Sequence, residues 1–221
     1  MSDHAFTLAG HDLVALASGG LWWPNERVLV VADLHLGKSL RLTRHGGAQL
    51  PPFEVDDTLE RLDHLIRRVE PREVICLGDS FDDLQASEDL EASARLWLLR
   101  LMAGRRWLWI EGNHDPGPLD LPGEHHAEVH RQGLTFRHVA DPSAKQEISA
   151  HYHPKASIRA KGVGMTRPCF LIDGCRVILP ALGTLTGGLW SHDKVLCDLM
   201  ARNALAVLTG PKALPIPMPR A

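Results

Sequence analysis

Residues Arg27–His35 read Arg-Val-Leu-Val-Val-Ala-Asp-Leu-His, an apolar and largely β-branched run that ends in two polar side chains. An uninterrupted apolar run of this length is typical of a strand that is buried on both faces, as in a parallel sheet. Asp33 and His35 are two positions apart, so on an extended chain their side chains lie on one side. We therefore interpret Arg27–Ala32 as a central strand with potential ligands at its carboxyl end.

The same pattern continues along the chain, with helical segments between the strands. Apolar residues at helical spacing predict one helix over Glu54–Val69 and another over Leu90–Leu101. Val74–Leu77 and Trp107–Ile110 are two further buried strands. The second half has short candidate strands at Leu134–Phe136, Glu147–Ser149, Cys169–Ile172, Val177–Leu179 and Ala204–Leu208. Because strands and helices alternate first and mixed strands follow, we expect an α/β fold with a second sheet packed on the first.

Polar residues follow these strands, at the edge where α/β sheets bind ligands. In chain order the candidate ligands are Asp33, His35, Asp79, Asn113, His138, His151 and His153, with His114 and Asp115 in reserve. Oxygen and imidazole donors without thiolate suit Mn²⁺, Fe or Zn²⁺. They are too many for one ion. With one shared carboxylate they divide into two sets of four, as a two-metal hydrolytic site requires.

This order of residues resembles the calcineurin-like metallophosphoesterase superfamily, whose motifs are Asp-x-His, Gly-Asp, Gly-Asn-His-Asp/Glu, a lone His and Gly-His-x-His. The resemblance spans Val30–His153. It implies a four-layer αββα sandwich of two mixed β-sheets flanked by helices. It also implies two divalent ions, one held by Asp33, His35, Asp79 and His153 and the other by Asp79, Asn113, His138 and His151. Mn²⁺ is the expected metal, and Fe and Zn²⁺ are the alternatives.

The expected reaction is hydrolysis of a phosphodiester by in-line attack of a metal-bridging hydroxide. In the superfamily scheme His114 adjoins a ligand without being one. We therefore expect His114 to act as general acid towards the leaving group, with Asp115 orienting its imidazole.

Two features of the ligand pattern leave questions open. His125, His126 and His130 compete with His138 for the lone-His position, and we prefer His138 because it ends an apolar strand. Ala150 stands where the superfamily has the glycine of Gly-His-x-His. Because alanine is small, the backbone can still pass close to the metals.

Basic residues cluster directly after the two ligand pairs, although the chain as a whole has a net charge of −3. The stretches 37–50 and 154–168 contain basic but no acidic residues. Because both begin at ligands, they start at the rim of the site and favour a substrate with several phosphates. The candidate substrate contacts are Lys38, Arg41, Arg44, Lys155 and Arg159.

A narrower resemblance is to the bacterial DNA ligase-associated metallophosphoesterases. It is carried by Ala32–His35, Leu50–Phe53, Thr58–Leu62, Phe136–His138, His151–Pro154 and Leu179–Gly188. It implies a DNA endonuclease or phosphodiesterase in DNA repair, with a DNA ligase and a helicase as functional associates. Asp82 is a departure, because relatives often carry His there, and it leaves the substrate preference open.

Two alternative functions remain open from the sequence. One is a phosphodiesterase or pyrophosphatase of a small nucleotide or nucleotide-lipid, and the other is a non-catalytic metal-binding scaffold of a repair complex. The basic stretches favour DNA over a small nucleotide.

The remaining expectations concern domains and location. We predict a single domain over residues 1–209 and a Pro-rich tail over 210–221, extended or disordered. The N-terminus lacks a signal-peptide pattern, and no apolar run approaches the ~20 residues of a membrane span. We therefore expect no membrane association and a cytoplasmic protein.

Overall fold

Two β-sheets form the body of the protein in the computed structural model, which describes residues 2–44, 46, 53–160 and 163–220. The first sheet contains β1 (His4–Leu8), β2 (His11–Ala15), β3 (Leu21–Trp23), β4 (Val28–Val31), β5 (Glu73–Leu77), β6 (Arg106–Ile110) and β7 (Glu124–His126), in that spatial order. Strands β1 to β4 pair antiparallel, and β4 to β7 pair parallel. The parallel part places the carboxyl ends of β4, β5 and β6 side by side.

The second sheet is also mixed. It contains β8 (Glu128–Arg131), β9 (Leu134–Arg137), β10 (Glu147–Ser149), β11 (Lys155–Ala160), β12 (Val163–Ile172), β13 (Arg176–Ile178), β14 (Leu205–Leu208) and β15 (Leu214–Pro217). Its order is β15-β14-β12-β13-β10-β9-β8, and β11 pairs with β12. Strand β10 runs parallel to both β9 and β13, so the chain leaves β9 and β10 at the same edge.

Helices cover the outer faces of the sheets. They are α1 (Lys38–Arg44), α2 (Glu54–Val69), α3 (Leu84–Glu88), α4 (Ala92–Met102) and α5 (Lys194–Leu199). Helix α2 buries Leu59, Leu62 and Ile66 on one face, as the 3–4 spacing predicts. Acidic residues in its first turn and arginines in its last turn complement the helix dipole. Among the described residues, no helix is long and apolar enough to cross a bilayer.

The core is divided into layers because successive side chains of a strand point to opposite faces of the sheet. On β4, Val30 packs in the cluster between the two sheets, whereas Leu29 and Val31 pack in the cluster under α2 and α4. Phe136 and Ile148 of the second sheet complete the intersheet cluster. Leu196 of α5 joins the cluster on the outer side of the second sheet. The expected α/β sandwich of two mixed sheets flanked by helices is therefore confirmed.

The C-terminal segment includes an ordered strand. Of the two alternatives for residues 210–221, extended or disordered, Leu214–Pro217 is extended, as the edge strand β15 paired antiparallel with β14. Met218 is buried against the second sheet, and Arg220 donates to the carbonyl of Cys197 at 3.0 Å. An edge strand tolerates proline because it pairs on one side only, so the missing backbone N–H of a proline that faces the other side leaves no hydrogen bond of the sheet unmade.

Because Phe136 is fully buried between the sheets, we expect Phe136→Ala to lower the free energy of unfolding by about 3–5 kcal/mol. Leu96→Ala is the matched control, because Leu96 is 67% exposed on α4, and it should change stability by less than about 0.5 kcal/mol. Urea unfolding followed by circular dichroism measures both. Equal stability of the two variants would contradict the intersheet core.

Candidate metal centre

The polar residues predicted at strand ends meet at one edge of the sandwich. Asp33, Asp79 and Asn113 follow the neighbouring parallel strands β4, β5 and β6. His138 follows β9 of the second sheet, and His151 and His153 follow β10 of the same sheet. The two sheets pack face to face, so ligands from both reach the same place.

Five of the candidate ligands lie on left-handed backbone: Asp33, His35, Asp79, His151 and His153 have φ between 45° and 73°. Such conformations are unfavourable for residues other than glycine and concentrate at functional sites. Backbone hydrogen bonds hold them here, because His35 N donates to Asp79 O at 2.9 Å and Asp33 N donates to Gly78 O at 3.3 Å. These turns point successive side chains into one space.

The first cluster of ligand atoms contains Asp33, His35 and His153. His153 Nε2 lies 3.3 Å from Asp33 Oδ1 and 3.4 Å from His35 Nε2. Asp33 Oδ1 is buried and has no hydrogen-bond partner. A buried carboxylate oxygen without a donor is costly, and a cation beside these imidazole nitrogens would satisfy it. The residues present therefore fit a divalent metal.

The second cluster contains Asp79, His138 and His151. His138 Nε2 lies 3.3 Å from Asp79 Oδ2, 3.0 Å from Asn113 Oδ1 and 3.2 Å from His151 Nδ1. Asp79 also lies 3.9 Å from His35 Nε2 of the first cluster. The structure thus brings all seven predicted ligands together, with Asp79 between the two clusters.

Hydrogen bonds from the far side of the rings select which nitrogen faces each cluster. His138 Nδ1 donates to the carbonyl of Leu77 at 2.7 Å, and His35 Nδ1 donates to Asp82 Oδ1 at 2.9 Å. Because a carbonyl or carboxylate only accepts, Nδ1 carries the proton in both rings and Nε2 is left to bind a metal.

The charges of the cluster influence one another. Burial alone would raise the pKa of Asp79, but the hydrogen bond and positive charge of His138 outweigh it, and the pKa is lowered. Burial and the charge of His138 together lower the pKa of His151. These shifts favour the carboxylate of Asp79 and the neutral ring of His151. They arise in part from protonated His138, whose own pKa is raised because burial, which would lower it, is outweighed by the carboxylates of Asp79 and Asp33, so a metal ion at its Nε2 would replace that proton.

Comparison with known proteins agrees with this geometry. The model of the calcineurin-like phosphoesterase family matches residues 26–174. The chain belongs to this family. It is also similar to the crystal structure of Pseudomonas putida nuclease MPE, with a TM-score of 0.76 and 26% sequence identity over 97% of this chain and 100% of that chain. No curated protein matches it. The protein is therefore a metal-dependent phosphoesterase, as its motifs predicted.

His114 of this phosphoesterase lies at the edge of the first cluster. Its ring is half-buried, 5.0 Å from that of His35, and its Nδ1 donates to the backbone carbonyl of Asp82 at 2.9 Å. Its ligand atom also groups with those of His35 and Asp79. The carbonyl of Asp82 therefore orients the His114 ring through Nδ1, and Nε2 takes no part in that hydrogen bond.

Asp115 does not orient His114, contrary to the expectation from sequence. Its carboxylate accepts backbone N–H bonds from Asp79, Ser80, Phe81 and Gly112 at 2.8–3.1 Å. Burial raises its pKa to about 6 in spite of these bonds. Asp115 ties the loop after β5 to the loop after β6, so it fixes the backbone that carries Asp79.

Asp82 holds two imidazoles, a role that the sequence did not reveal. Besides its bonds to His35 and His114, its carboxylate pairs with Arg41 Nε, and its side chain is buried. Burial opposes ionisation, but the hydrogen bonds from His35 and Arg41 lower its pKa to about 2. Asp82 is thus an anion behind the candidate ligand His35.

The loop over residues 183–188 lies against both ligand pairs. Gly183 N donates to Asp33 O at 3.1 Å. A side chain at Gly188 would place its Cβ 2.0 Å from the carbonyl oxygen of His153. A Cβ at Gly183 would likewise lie 2.3 Å from the carbonyl oxygen of Leu34, so these close approaches explain the glycines at positions 183 and 188. Ala150, which stands where the superfamily has glycine, is fully buried just before His151. Of the stretch Leu50–Phe53 that carries part of the narrower resemblance, residues 50–52 lie outside the described residues.

The three competing histidines lie away from the clusters. His125 and His126 are on β7, where His125 stacks on Trp109 with centroids 6.5 Å apart. His130 is exposed and pairs with Glu128 at 2.8 Å. Of the four histidines considered for the lone-His position, only His138 joins the ligand clusters.

The candidate substrate contacts fall into two groups. Arg41 pairs with Asp82, and Arg44 pairs with Asp83 and Asp89. Lys38 is half-buried at the start of α1, near Glu54. The second group, Lys155 and Arg159, lies on β11. Basic residues of α1 are therefore largely neutralised by the segment after β5, whereas the part of the chain that the structure describes forms no ion pair with Lys155 or Arg159.

Because Asp82 orients His35 from behind, we expect Asp82→Ala to weaken divalent metal binding about 10–100-fold. The neighbouring variant Asp83→Ala is the control, because Asp83 pairs with Arg44 and caps α3 without contacting a ligand. Isothermal titration calorimetry with Mn²⁺ and chelator-treated protein measures the metal affinity of each variant. Equal affinities would show that Asp82 does not support the metal centre.

Proposed function

We propose that this phosphoesterase binds two divalent ions and hydrolyses phosphodiester bonds in DNA. The observation that carries the proposal is that two clusters of oxygen and nitrogen ligands share Asp79. The similar P. putida protein is a nuclease, which supports DNA as the substrate class.

The proposed ligand sets are those that the resemblance implies. Asp33, His35, Asp79 and His153 would hold one ion, and Asp79, Asn113, His138 and His151 would hold the other. When bound, two such ions supply a nucleophile near neutral pH and neutralise the phosphoryl oxygens. The donor set of carboxylates, an amide and imidazoles, without thiolate, favours Mn²⁺, with Fe or Zn²⁺ as alternatives.

His114 is the proposed general acid. Its Nδ1–H is held by the carbonyl of Asp82, so the proton that it can give away sits on Nε2. A protonated Nε2 beside the clusters donates to the leaving oxygen as the P–O bond breaks. Asp115 contributes indirectly, because it fixes the loop that carries Asp79.

The cellular setting is proposed from the narrower sequence resemblance. A DNA-repair role in the cytoplasm, with a DNA ligase and a helicase as functional associates, accords with an enzyme that cuts DNA strands. A small-nucleotide phosphodiesterase and a non-catalytic scaffold are the outcomes that the following experiment separates from it.

Chelator-treated protein, reconstituted singly with Mn²⁺, Fe²⁺, Zn²⁺ or Mg²⁺, should cleave circular single-stranded DNA. His114→Ala should retain metal affinity but lose about 10²–10⁴-fold in kcat on a diester with a poor leaving group. His130→Ala is the control, because His130 is exposed and pairs only with local side chains.

Three results would contradict the proposal in different ways. Hydrolysis of small diesters without cleavage of the circle would favour the small-nucleotide enzyme. No hydrolysis of any diester with any metal would favour the scaffold. A His114→Ala variant as active as His130→Ala would remove His114 from the reaction.

A further inference from the structure

The hairpin of β11 and β12 projects beyond the second sheet at the edge that carries the candidate ligands. Strand β12 runs antiparallel to β13, and Leu171 pairs with Ile178, the last residue of β13. Residues of β12 that precede Leu171 therefore extend past the end of β13. Because β13 is parallel to β10, this is also the edge at which His151 and His153 follow β10. The hairpin thus starts beside the metal centre, directly after the last candidate ligand.

The two faces of the hairpin differ in what they contact. Ala156 and Ile158 pack in the cluster on the outer side of the second sheet. The alternate positions point the other way, and on β12 that side is continuous with Phe170, which packs in the cluster between the two sheets. This second side is the inner hairpin face, which consists of Lys155, Ser157, Arg159, Gly164, Thr166 and Pro168. It is therefore turned towards the first sheet, whose strand ends supply Asp33 and Asp79.

The inner hairpin face carries two cations, two hydroxyls and no carboxylate. Ser157 and Thr166 lie opposite each other with their hydroxyl oxygens 2.6 Å apart, so both side chains lie on this face. Lys155 and Arg159 lie on the same face of β11, ~13 Å apart along the strand. Arg159 is exposed, and Lys155 is half-buried. Lysine, arginine, serine and threonine are side chains that contact phosphate oxygens in nucleic-acid complexes.

Trp190 holds the charge of Lys155 at this face. Trp190 pairs with Lys155 in a parallel bridge, so both side chains point to the same side. The ammonium nitrogen is 4.9 Å from the centroid of the Trp190 ring, a cation–π contact. Lys155 N donates to Leu189 O and Ser191 N donates to Lys155 O, both at 2.9 Å, so the backbone is anchored as well. Because a π face takes no conventional hydrogen bond, the ammonium hydrogens stay available to an acceptor.

The two cations of the inner hairpin face have no carboxylate partner within the part of the chain that the structure describes. The ion pairs near the centre engage Arg41 and Arg44 of α1 instead, and they leave out Lys155 and Arg159. Unneutralised cations beside a phosphoesterase centre attract a polyanion. Because both lie on one strand, they form a single line, which suits a chain of phosphates that tracks along it.

We propose that the inner hairpin face binds successive phosphates of one nucleic acid strand, which runs from the metal centre along β11. The inference rests on the proposed function, because it takes the scissile phosphate to lie at the metal centre. Lys155 contacts a phosphate near the scissile one, and Arg159 contacts another farther along the strand. The hydroxyls of Ser157 and Thr166 donate to phosphate oxygens between them. A small nucleotide is too short to reach Arg159 from the metals, so the face favours long strands over small diesters.

The first test is binding of a labelled single-stranded oligothymidylate to the full chain in chelator, where hydrolysis does not interfere. Fluorescence anisotropy over a range of salt concentrations gives the slope of log K against log[salt]. Lys155→Gln and Arg159→Gln should each make the slope shallower by about 0.7, the value for one phosphate contact on a single strand. Because sites more than ~10 Å apart act independently, the double variant should lose about 1.4, the sum of both.

Two control variants remove the same charges from other places. Lys145→Gln changes an exposed residue before β10, at the other end of that strand from His151. Arg202→Gln changes an exposed residue before β14, whose first residue Leu205 pairs with Ile172 at the end of β12 remote from the hairpin. Both controls should keep the wild-type slope. A loss confined to the hairpin variants therefore reports phosphate contact rather than net charge.

The second test compares the metal-loaded enzyme on the dinucleotide TpT and on oligothymidylates of increasing length. Wild type and both control variants should gain in kcat/KM as the strand lengthens. Arg159→Gln should lose about tenfold of that gain, as expected for one charge-assisted contact. The loss should begin only at lengths that reach Arg159.

Salt slopes and length dependences of the hairpin variants that equal those of the controls would overturn the binding face. A double variant with the slope of either single variant would overturn the placement of two separate phosphates along β11. A wild-type enzyme that hydrolyses neither TpT nor any oligothymidylate would instead overturn the proposed function, whatever the salt slopes are.

Discussion

The carboxylate of Asp79 is the contact on which the site depends. Its Oδ1 accepts the backbone N–H of His114 at 2.9 Å, and its Oδ2 lies 3.3 Å from His138 Nε2. Through these two oxygens the end of β5 contacts the loop after β6 in its own sheet and the end of β9 in the other. Asp115 holds the backbone of Asp79 in a left-handed turn from behind. Local strain and buried negative charge are thus stabilised together, and a bound cation would offset the charge further.

The sequence predicted the ligands well because parallel strands impose their arrangement. Once β4 and β5 are recognised as buried neighbours, Asp33 and Asp79 must lie at the same sheet edge. The hydrogen bonds behind the ligands were beyond prediction. Asp115 follows His114 in sequence, but its carboxylate turns back towards the β5 loop, and adjacency in the chain carries no information on that direction. The antiparallel strands β1 to β3 were also not predicted from the sequence, because they are short and only partly apolar.

Charge patterning was informative but incomplete. The two acid-free stretches looked equivalent in sequence, yet the arginines of α1 pair with the acidic segment after β5, whereas the described residues form no ion pair with Lys155 or Arg159 on β11. Pairing over about 40 residues of chain decides which arginines remain available, and only the folded structure reveals it. The net charge of −3 therefore conceals an uneven distribution of charge around the ligands. That distribution, rather than the total, is what a polyanionic substrate would encounter.

Anomalous diffraction from crystals grown with Mn²⁺ shows whether two metal ions share the carboxylate of Asp79, as we propose. We expect two peaks per chain, both within bonding distance of Asp79, one beside His35 and His153 and the other beside His138 and His151. A single peak, or two peaks of which only one contacts Asp79, would contradict it.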